Sequence, residues 1–291
     1  MMADPLIILA PPHSFTSVVC AMIGQHPQMY DLPEVNLFVA ETMRERSFDV
    51  AWPKYHQHGL LRVVAELIEG EQTPPTITLA QRWINARVDR TCISVFEELA
   101  EEVRPRILVD KSPRTTMRRE YLERVRRAFP NAKYLHLLRN PRSHIESRRR
   151  TDGVAFDRGD YSAHLSIGLW YSRHMNIISF LDEFPSAQKM RIRGEDLLGE
   201  PDAHLRKIAG WLDVRTDEEA IEAMKHPERS PYACFGPVNA RFGNNPGFQR
   251  EPALRNGSPK QGRLEELAER RNDGIRFSPE VEELAREFSY V

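Results

Sequence analysis

The chain has 291 residues, of which 41% are hydrophobic and 29% charged, with a formal net charge of −1. This near balance disfavours a nucleic-acid-binding protein that depends on a global positive field, although it allows local basic clusters. The N-terminal apolar run Leu6–Ala10 lacks a basic flank and is too short for a secretory signal or a bilayer span. We therefore expect a cytoplasmic protein without a membrane-spanning helix.

The length, together with the lack of a long polar linker or an internal repeat, predicts a single domain over residues 1–291. Cys20, Cys92 and Cys234 lie far apart and have no metal-ligand or redox spacing. An odd number of cysteines is typical of a reducing compartment. We expect all three to be small buried side chains, and we predict no metal site.

Strand-like and helical segments alternate along the chain. After the N-terminal apolar run, strands are predicted at Arg106–Asp110, Lys133–Leu138 and Lys189–Arg193. Helices, most of them punctuated by prolines, are predicted at Tyr55–Ile68, Ala80–Val103, Thr115–Phe129, Ala163–Phe184 and Pro201–Leu212. This alternation predicts βαβ units and therefore an α/β fold with a parallel sheet.

The first strand, in "LIILAPPHSFTSVV", runs into a turn rich in hydroxyl groups and then into a predicted helix. The first N–H groups of a helix have no intrahelical partner and lie at its positive end, so such a turn is suited to a phosphate or sulfate. The turn has neither G-x-x-x-x-G-K-[ST] nor G-x-G-x-x-G, which are typical of triphosphate and dinucleotide sites.

A second candidate anion site follows the strand "KYLHLL", in "RNPRSHIESRRR". Arg139 leaves the carboxyl end of the strand, and Ser147 lies eight residues later on the predicted helix. A guanidinium and a hydroxyl together suit a phosphate, because the guanidinium gives paired charge-assisted bonds and the hydroxyl adds a third. The alternative is that these basic residues form only an exposed helix face.

The segment Pro227–Gly262 is rich in Pro, Gly and Asn and contains four aromatic residues. A loop of this length in a compact domain is usually functional or disordered, and the aromatic residues favour order. We predict a flap that covers a substrate.

Together with "VDKSPR" and "RIRGEDLL", these segments resemble, over nearly the whole chain, the cytosolic and bacterial sulfotransferases that use 3′-phosphoadenosine 5′-phosphosulfate. The resemblance implies a P-loop-like three-layer α/β/α fold with a central parallel sheet, helix-rich insertions and a long C-terminal loop region. It implies that Arg139 and Ser147 hold the 3′-phosphate, with a weaker match at Arg255 and Gly257. It also implies that the 5′-phosphosulfate contacts the first turn, which comprises Pro12, His13, Ser14, Phe15, Thr16 and Ser17.

The fragments "GQHPQMYDLPEVNLF", "HGLLRVVAEL" and "VDKSP" resemble a bacterial branch of this family that includes sulfotransferase domains of polyketide assembly lines. This resemblance implies a hydroxyl acceptor on a small molecule or on an acyl chain delivered by a carrier protein. The acidic pair of "GEDLL", Glu195 and Asp196, is expected to be structural.

The first turn departs from the family pattern at two positions. His13 stands where Arg or Lys is usual, and Phe15 stands where Gly is usual. A neutral imidazole carries no permanent charge, and a Cβ restricts the backbone, so a phosphoadenosine-binding protein with weakened catalysis is one alternative. An adjacent dianion would favour the charged imidazole, and for this reason we favour an active enzyme.

A phosphotransferase that uses a nucleoside triphosphate is a weaker alternative. No lysine follows the first turn as such a site requires, and among strand ends only Asp110 offers a clear metal-binding carboxylate.

In the sulfotransferase interpretation, an acceptor hydroxyl attacks sulfur in line, and His13 and Lys111 offset the charge of the leaving group. A general base must take the acceptor proton. We predict His58 for this role, because an imidazole suits it near neutral pH. Glu34, His56 and Asp110 are the alternatives.

Overall fold

The computed structural model describes residues 4–152, 160–254 and 275–290. Its centre is a five-stranded sheet with the order β2-β3-β1-β4-β5, in which every neighbouring pair is parallel. The strands are β1 Leu6–Leu9, β2 Met29–Asp31, β3 Ile107–Asp110, β4 Lys133–Leu138 and β5 Lys189–Arg193. The predicted parallel sheet is confirmed, and the edge strand β2 is an addition to the prediction.

Helices connect and cover these strands. They are α1 Thr16–Gly24, α2 Met43–Asp49, α3 His58–Ile68, α4 Pro74–Asn85, α5 Cys92–Glu102, α6 Arg119–Ala128, α7 Pro141–Asp152, α8 Asp160–Leu181, α9 Gly194–Gly199, α10 Pro201–Leu212, α11 Glu218–Met224, α12 Pro246–Arg250 and α13 Pro279–Glu287. Within the described ranges, no helix combines the length and the apolar character needed to cross a membrane.

Alternate residues of the strands enter two separate hydrophobic clusters, which gives the fold its three layers. Ile7 and Leu9 pack with helices α3, α5, α6 and α8, whereas Leu6 and Ile8 pack with α1, α10 and α11. A strand buried on both faces reads as a continuous apolar run, as "LIIL" does. The predicted three-layer α/β/α fold is thereby confirmed.

The prediction of one continuous helix over Ala80–Val103 was wrong. The segment Ala80–Val103 contains the end of α4 and all of α5, and the two helices are separated by a turn at 86–91. Thr91 starts the second helix, because its side-chain oxygen accepts a hydrogen bond from the Ser94 N–H at 3.1 Å. Two other predicted helices begin with a 3₁₀ turn, at Lys54–Gln57 before α3 and at Pro113–Met117 before α6.

The C-terminal region is only partly a loop. The predicted flap, Pro227–Gly262, is described as far as residue 254 and contains a 3₁₀ turn at Pro227–Arg229 and helix α12. The chain is described again from residue 275 and forms α13, which packs on α8. Cys20 and Cys92 are buried as expected, but Cys234 in the flap is exposed, which corrects that prediction.

Candidate active site

A cleft of about 1740 Å³ opens at the carboxyl ends of the central strands. The turn after β1 lines it at Pro12–Val18 apart from Ser14, and Arg139, Ser143 and Ser147 line it after β4. Residues 242–251 and Ala253 of the predicted flap also line it, except for Gln249. The two predicted anion sites therefore share one cleft.

The turn after β1 has an unusual backbone. His13 has φ 64° and Phe15 has φ 61°, so both non-glycine residues adopt the left-handed conformation. This conformation costs roughly 1–2 kcal/mol for a residue with a Cβ. Such strain persists only where the surroundings enforce it, and it concentrates at functional sites.

Helix α1 begins directly after this turn and presents its free N–H groups to the cleft. The first hydrogen bond of the helix runs from the Val19 N–H to the Phe15 carbonyl at 3.1 Å, so the N–H groups of Thr16, Ser17 and Val18 precede it. The Ser14 hydroxyl is fully buried and has no hydrogen-bond partner among the described residues. Buried polar groups are normally paired, so this hydroxyl and the N–H groups fit an anion.

Arg139 holds the turn in this conformation. Its Nη1 donates to the His13 carbonyl at 2.6 Å, and its guanidinium lies 3.9 Å from the centre of the Phe15 ring. Burial lowers the pKa of Arg139 to about 10, which leaves it charged at neutral pH. Its Nε is buried and has no partner within the described part of the chain, so the guanidinium retains capacity for a phosphate.

The Phe15 ring packs into the space beside Gly194, which has no side chain. A Cβ at Gly194, the first residue of α9, would lie 2.4 Å from Phe15 Cδ2. The bulky residue in the turn thus depends on a glycine elsewhere in the chain.

The acidic pair after β5 is structural, as expected. Glu195 accepts hydrogen bonds from the Asn140 N–H at 2.9 Å and from the Tyr290 hydroxyl at 2.8 Å, which fixes the backbone that follows Arg139. Asp196 pairs with Arg193 at 2.7 Å.

Lys111 connects the turn to Glu34. Its fully buried Nζ donates to Ser17 Oγ at 3.2 Å and to Glu34 Oε1 at 3.1 Å. The Asn245 N–H of the flap also donates to Ser17 Oγ, at 3.0 Å. Because a hydroxyl oxygen accepts two hydrogen bonds and donates one, the Ser17 proton remains available for a ligand.

The Glu34 backbone is held on two sides. Its N–H donates to the Gly243 carbonyl at 2.7 Å, and a Cβ at Gly59 would lie 2.1 Å from the Glu34 carbonyl oxygen. The following residues are fixed by the buried Arg46, whose Nη2 donates to the Val35 carbonyl at 2.6 Å. The Glu34 side chain is 27% exposed and lines the cleft, so its carboxylate is rigidly placed yet reachable.

A model of a sulfotransferase family matches residues 5–218. The chain belongs to the sulfotransferase family. Among solved structures, it is similar to a sulfotransferase domain from the curacin biosynthetic pathway, with a TM-score of 0.80 and 24% identity over 100% of this chain and 99% of that one. It is also similar to a sulfotransferase domain from the Synechococcus PCC 7002 olefin synthase, with a TM-score of 0.78 and 23% identity over 99% and 95% of the two chains.

Among curated proteins, the sulfotransferase is similar to protein-tyrosine sulfotransferase A of Caenorhabditis elegans. The two are 25% identical over 143 residues, which are 45% of this chain and 36% of that relative. The matched part therefore spans little more than a third of the relative's length.

The candidate bases of this sulfotransferase differ in position. His58 is not among the described residues that line the cleft; its Nδ1 accepts from the Phe242 N–H at 3.2 Å, and the two rings are stacked. Asp110 is fully buried, and its carboxylate accepts hydrogen bonds from the Ser112 N–H at 3.2 Å and from the Ser112 hydroxyl at 3.0 Å. Burial raises the pKa of Asp110 to about 6.

The other two candidate bases, Glu34 and His56, line the cleft. Burial, and then Arg114, lower the pKa of His56.

The cleft has a further wall, and among its residues the sequence singled out only His56, as a candidate base. Its residues come from the 3₁₀ turns before α3 and α6 and from α8: Tyr55, His56, Pro113, Arg114, Met117, Leu169 and Arg173. No local motif identifies them, because three distant segments supply them. Two other predicted contacts, Arg255 and Gly257, lie outside the described residues.

Proposed function

We propose that this sulfotransferase transfers a sulfuryl group from 3′-phosphoadenosine 5′-phosphosulfate to a hydroxyl of a small-molecule or carrier-bound acyl acceptor. The observation that carries the proposal is the single cleft that joins the strained turn Pro12–Ser17 to Arg139 and Ser147. Two anion sites in one cleft fit a nucleotide with phosphate at both its 3′ and 5′ positions.

The residues of the turn would hold the 5′ end of the donor. The free N–H groups of Thr16, Ser17 and Val18, with the hydroxyls of Ser14 and Ser17, supply donors for a phosphosulfate. His13 would add positive charge beside the leaving group. At the 3′ end, Arg139 and Ser147 would contact the phosphate.

For the proton acceptor, the contacts favour Glu34 over His58. Glu34 is the carboxylate joined through Lys111 to the phosphosulfate turn, and it reaches the cleft. As the acceptor oxygen bonds to sulfur, Glu34 takes the hydroxyl proton, and the bond from sulfur to the bridging phosphate oxygen breaks with its electron pair left on that oxygen. Lys111 acts as a positioning residue and as a buried positive charge behind the turn.

A carrier-bound acyl acceptor is supported by the structural neighbours. Both similar domains belong to biosynthetic systems, the curacin pathway and an olefin synthase. The open cleft, with apolar residues such as Tyr55, Met117 and Leu169 on its further wall, would accommodate an acyl chain.

Calorimetric titration with 3′-phosphoadenosine 5′-phosphate tests the proposal without knowledge of the acceptor. We expect this bisphosphate to bind much more tightly than adenosine 5′-phosphate, because both ends contribute contacts. Equal affinity for the two nucleotides, or tighter binding of ATP with Mg²⁺, would refute the nucleotide assignment and favour a phosphotransferase. Tight bisphosphate binding without turnover on a broad panel of hydroxyl acceptors would favour the weakened binding protein.

A further inference from the structure

Arg173 is a buried cation that has no counterion among the residues that the structure describes. It lies on α8, is 9% exposed and lines the further wall of the cleft. Its Nη1 is buried without a hydrogen-bond partner, and Arg173 forms no ion pair with any described residue. Burying a charge without a partner is costly, so a folded protein retains such a group where a ligand completes it.

A second guanidinium lies beside Arg173. Burial first, and then Arg114, lower the pKa of Arg173 to about 10, so it still carries its charge at neutral pH. Arg114 Nη2 forms an ion pair with the Asp49 carboxylate and donates to the Asp49 carbonyl at 3.0 Å, but Arg114 Nε is buried without a partner among the described residues. The two arginines therefore leave at least one net positive charge on this wall.

This charge is separate from the residues proposed for the donor. Arg114 and Arg173 belong to the 3₁₀ turn before α6 and to α8, whereas the donor contacts belong to the turn after β1, to the residue that follows β4 and to the middle of α7. The apolar Met117 and Leu169 line the same wall, and Glu34 and His56 lie on the cleft as well. Besides burial, Arg114 lowers the pKa of His56 by repulsion and Glu34 raises it by attraction, so His56 lies within electrostatic reach of both and links the candidate bases to this wall.

We propose that Arg173, supported by Arg114, binds an oxyanion of the acceptor, either a carboxylate or the phosphate of a phosphate ester, so that the enzyme selects anionic hydroxyl compounds over neutral ones. This inference rests on the proposed sulfuryl transfer to a hydroxyl. The planar guanidinium binds such oxyanions through paired charge-assisted hydrogen bonds. The apolar residues beside it would contact the carbon chain between the oxyanion and the hydroxyl.

The test uses wild type, Arg173→Gln and the control Arg82→Gln, which makes the same chemical change on the exposed surface of α4. Each protein is saturated with 3′-phosphoadenosine 5′-phosphate and titrated by calorimetry with matched anionic and neutral probes. The carboxylate arm compares 3- and 8-hydroxyoctanoate with their methyl esters. The phosphate arm compares 4′-phosphopantetheine with pantetheine.

In at least one arm, we expect wild type and Arg82→Gln to bind the anionic probe more tightly than its neutral counterpart. Arg173→Gln should lower the affinity for the anionic probe by about 10- to 150-fold and leave the affinity for the neutral probe unchanged. Bisphosphate affinity should change less than twofold. The arm that responds identifies carboxylate or phosphate as the oxyanion.

Thermal unfolding without ligand gives a second, independent measurement. Because Arg173→Gln removes an uncompensated buried charge, its midpoint should equal or exceed that of wild type. A clear fall would show that Arg173 has a structural role and would contradict the proposal.

Other results distinguish a failure of the role proposed for Arg173 from a failure of the proposed sulfotransferase function. A wild type that binds the bisphosphate but treats each anion and its neutral counterpart alike contradicts only the role of Arg173. Loss of bisphosphate affinity in Arg173→Gln would assign Arg173 to the donor site instead. A wild type that does not bind the bisphosphate contradicts the proposed function itself.

Discussion

Replacing Gly194 with alanine should loosen the turn after β1 by displacing the Phe15 ring. The new Cβ would lie 2.4 Å from Phe15 Cδ2, and ordinary contact begins at 3.4 Å, so the ring must retreat by about 1 Å. The ring is held between this site and the Arg139 guanidinium, 3.9 Å from its centre. Its movement should weaken the stacking, which is worth about 0.5–2 kcal/mol, and the crowding should destabilise the fold by about 1–3 kcal/mol.

The affinity for 3′-phosphoadenosine 5′-phosphate should accordingly fall by about 2- to 30-fold, measured by calorimetry beside chemical denaturation. Gly168→Ala is the matched control, because a Cβ at Gly168 meets nothing within 4 Å. In a Phe15→Gly background, Gly194→Ala should cost little further affinity, because the ring with which the added Cβ would clash is absent.

Wild-type affinity in Gly194→Ala would refute the coupling between Phe15 and nucleotide binding. An equal loss when Gly194→Ala is added to Phe15→Gly would instead locate the clash at the Leu138 carbonyl oxygen, which lies 3.2 Å from the added Cβ.

The remaining predictions concern charge and proton transfer. Arg139→Ala should weaken bisphosphate binding by about 10- to 150-fold in calorimetry, because a charge-assisted contact is lost; unchanged affinity would exclude Arg139 from the site. His13→Arg should match or raise that affinity, most visibly at high pH, where an imidazole is neutral; weaker binding at every pH would mean that His13 is retained for its shape. Glu34→Gln should slow sulfuryl transfer about 10²- to 10⁴-fold and keep bisphosphate binding, whereas His58→Asn should keep near-normal turnover; the opposite pattern would return the role of base to His58.

The sheet and its main helices follow from local patterns in the sequence. Each central strand is a compact apolar run, and the alternation of strands with helices fixes the parallel arrangement. Strand β2 was not predicted, because "MYD" is only three residues long and pairs only with β3 at the edge of the sheet. Helix α2 did carry a local signal, the capping box of Thr42 and Glu45, that the prediction did not use.

The site was predictable only where one segment supplies it. The turn after β1 and the Arg139 segment each have a recognisable local pattern. The contact of Lys111 with Glu34 joins residues 77 positions apart, and no periodicity or spacing marks such a pair. The same holds for Arg173, whose importance comes from the absence of a counterion among its described neighbours and not from its place in a motif.

The two departures of the turn from the family pattern bear directly on whether the protein is a working enzyme. A phenylalanine in a left-handed conformation would by itself disfavour the anion-binding turn. Here, however, Gly194 makes room for the Phe15 ring, and Arg139 both stacks on that ring and binds the His13 carbonyl. The strain is thus opposed by contacts from two other segments, and the helix N–H groups remain directed at the cleft. A turn maintained in this way favours retained donor binding, so catalysis then depends on whether Glu34 and the further wall can position an acceptor.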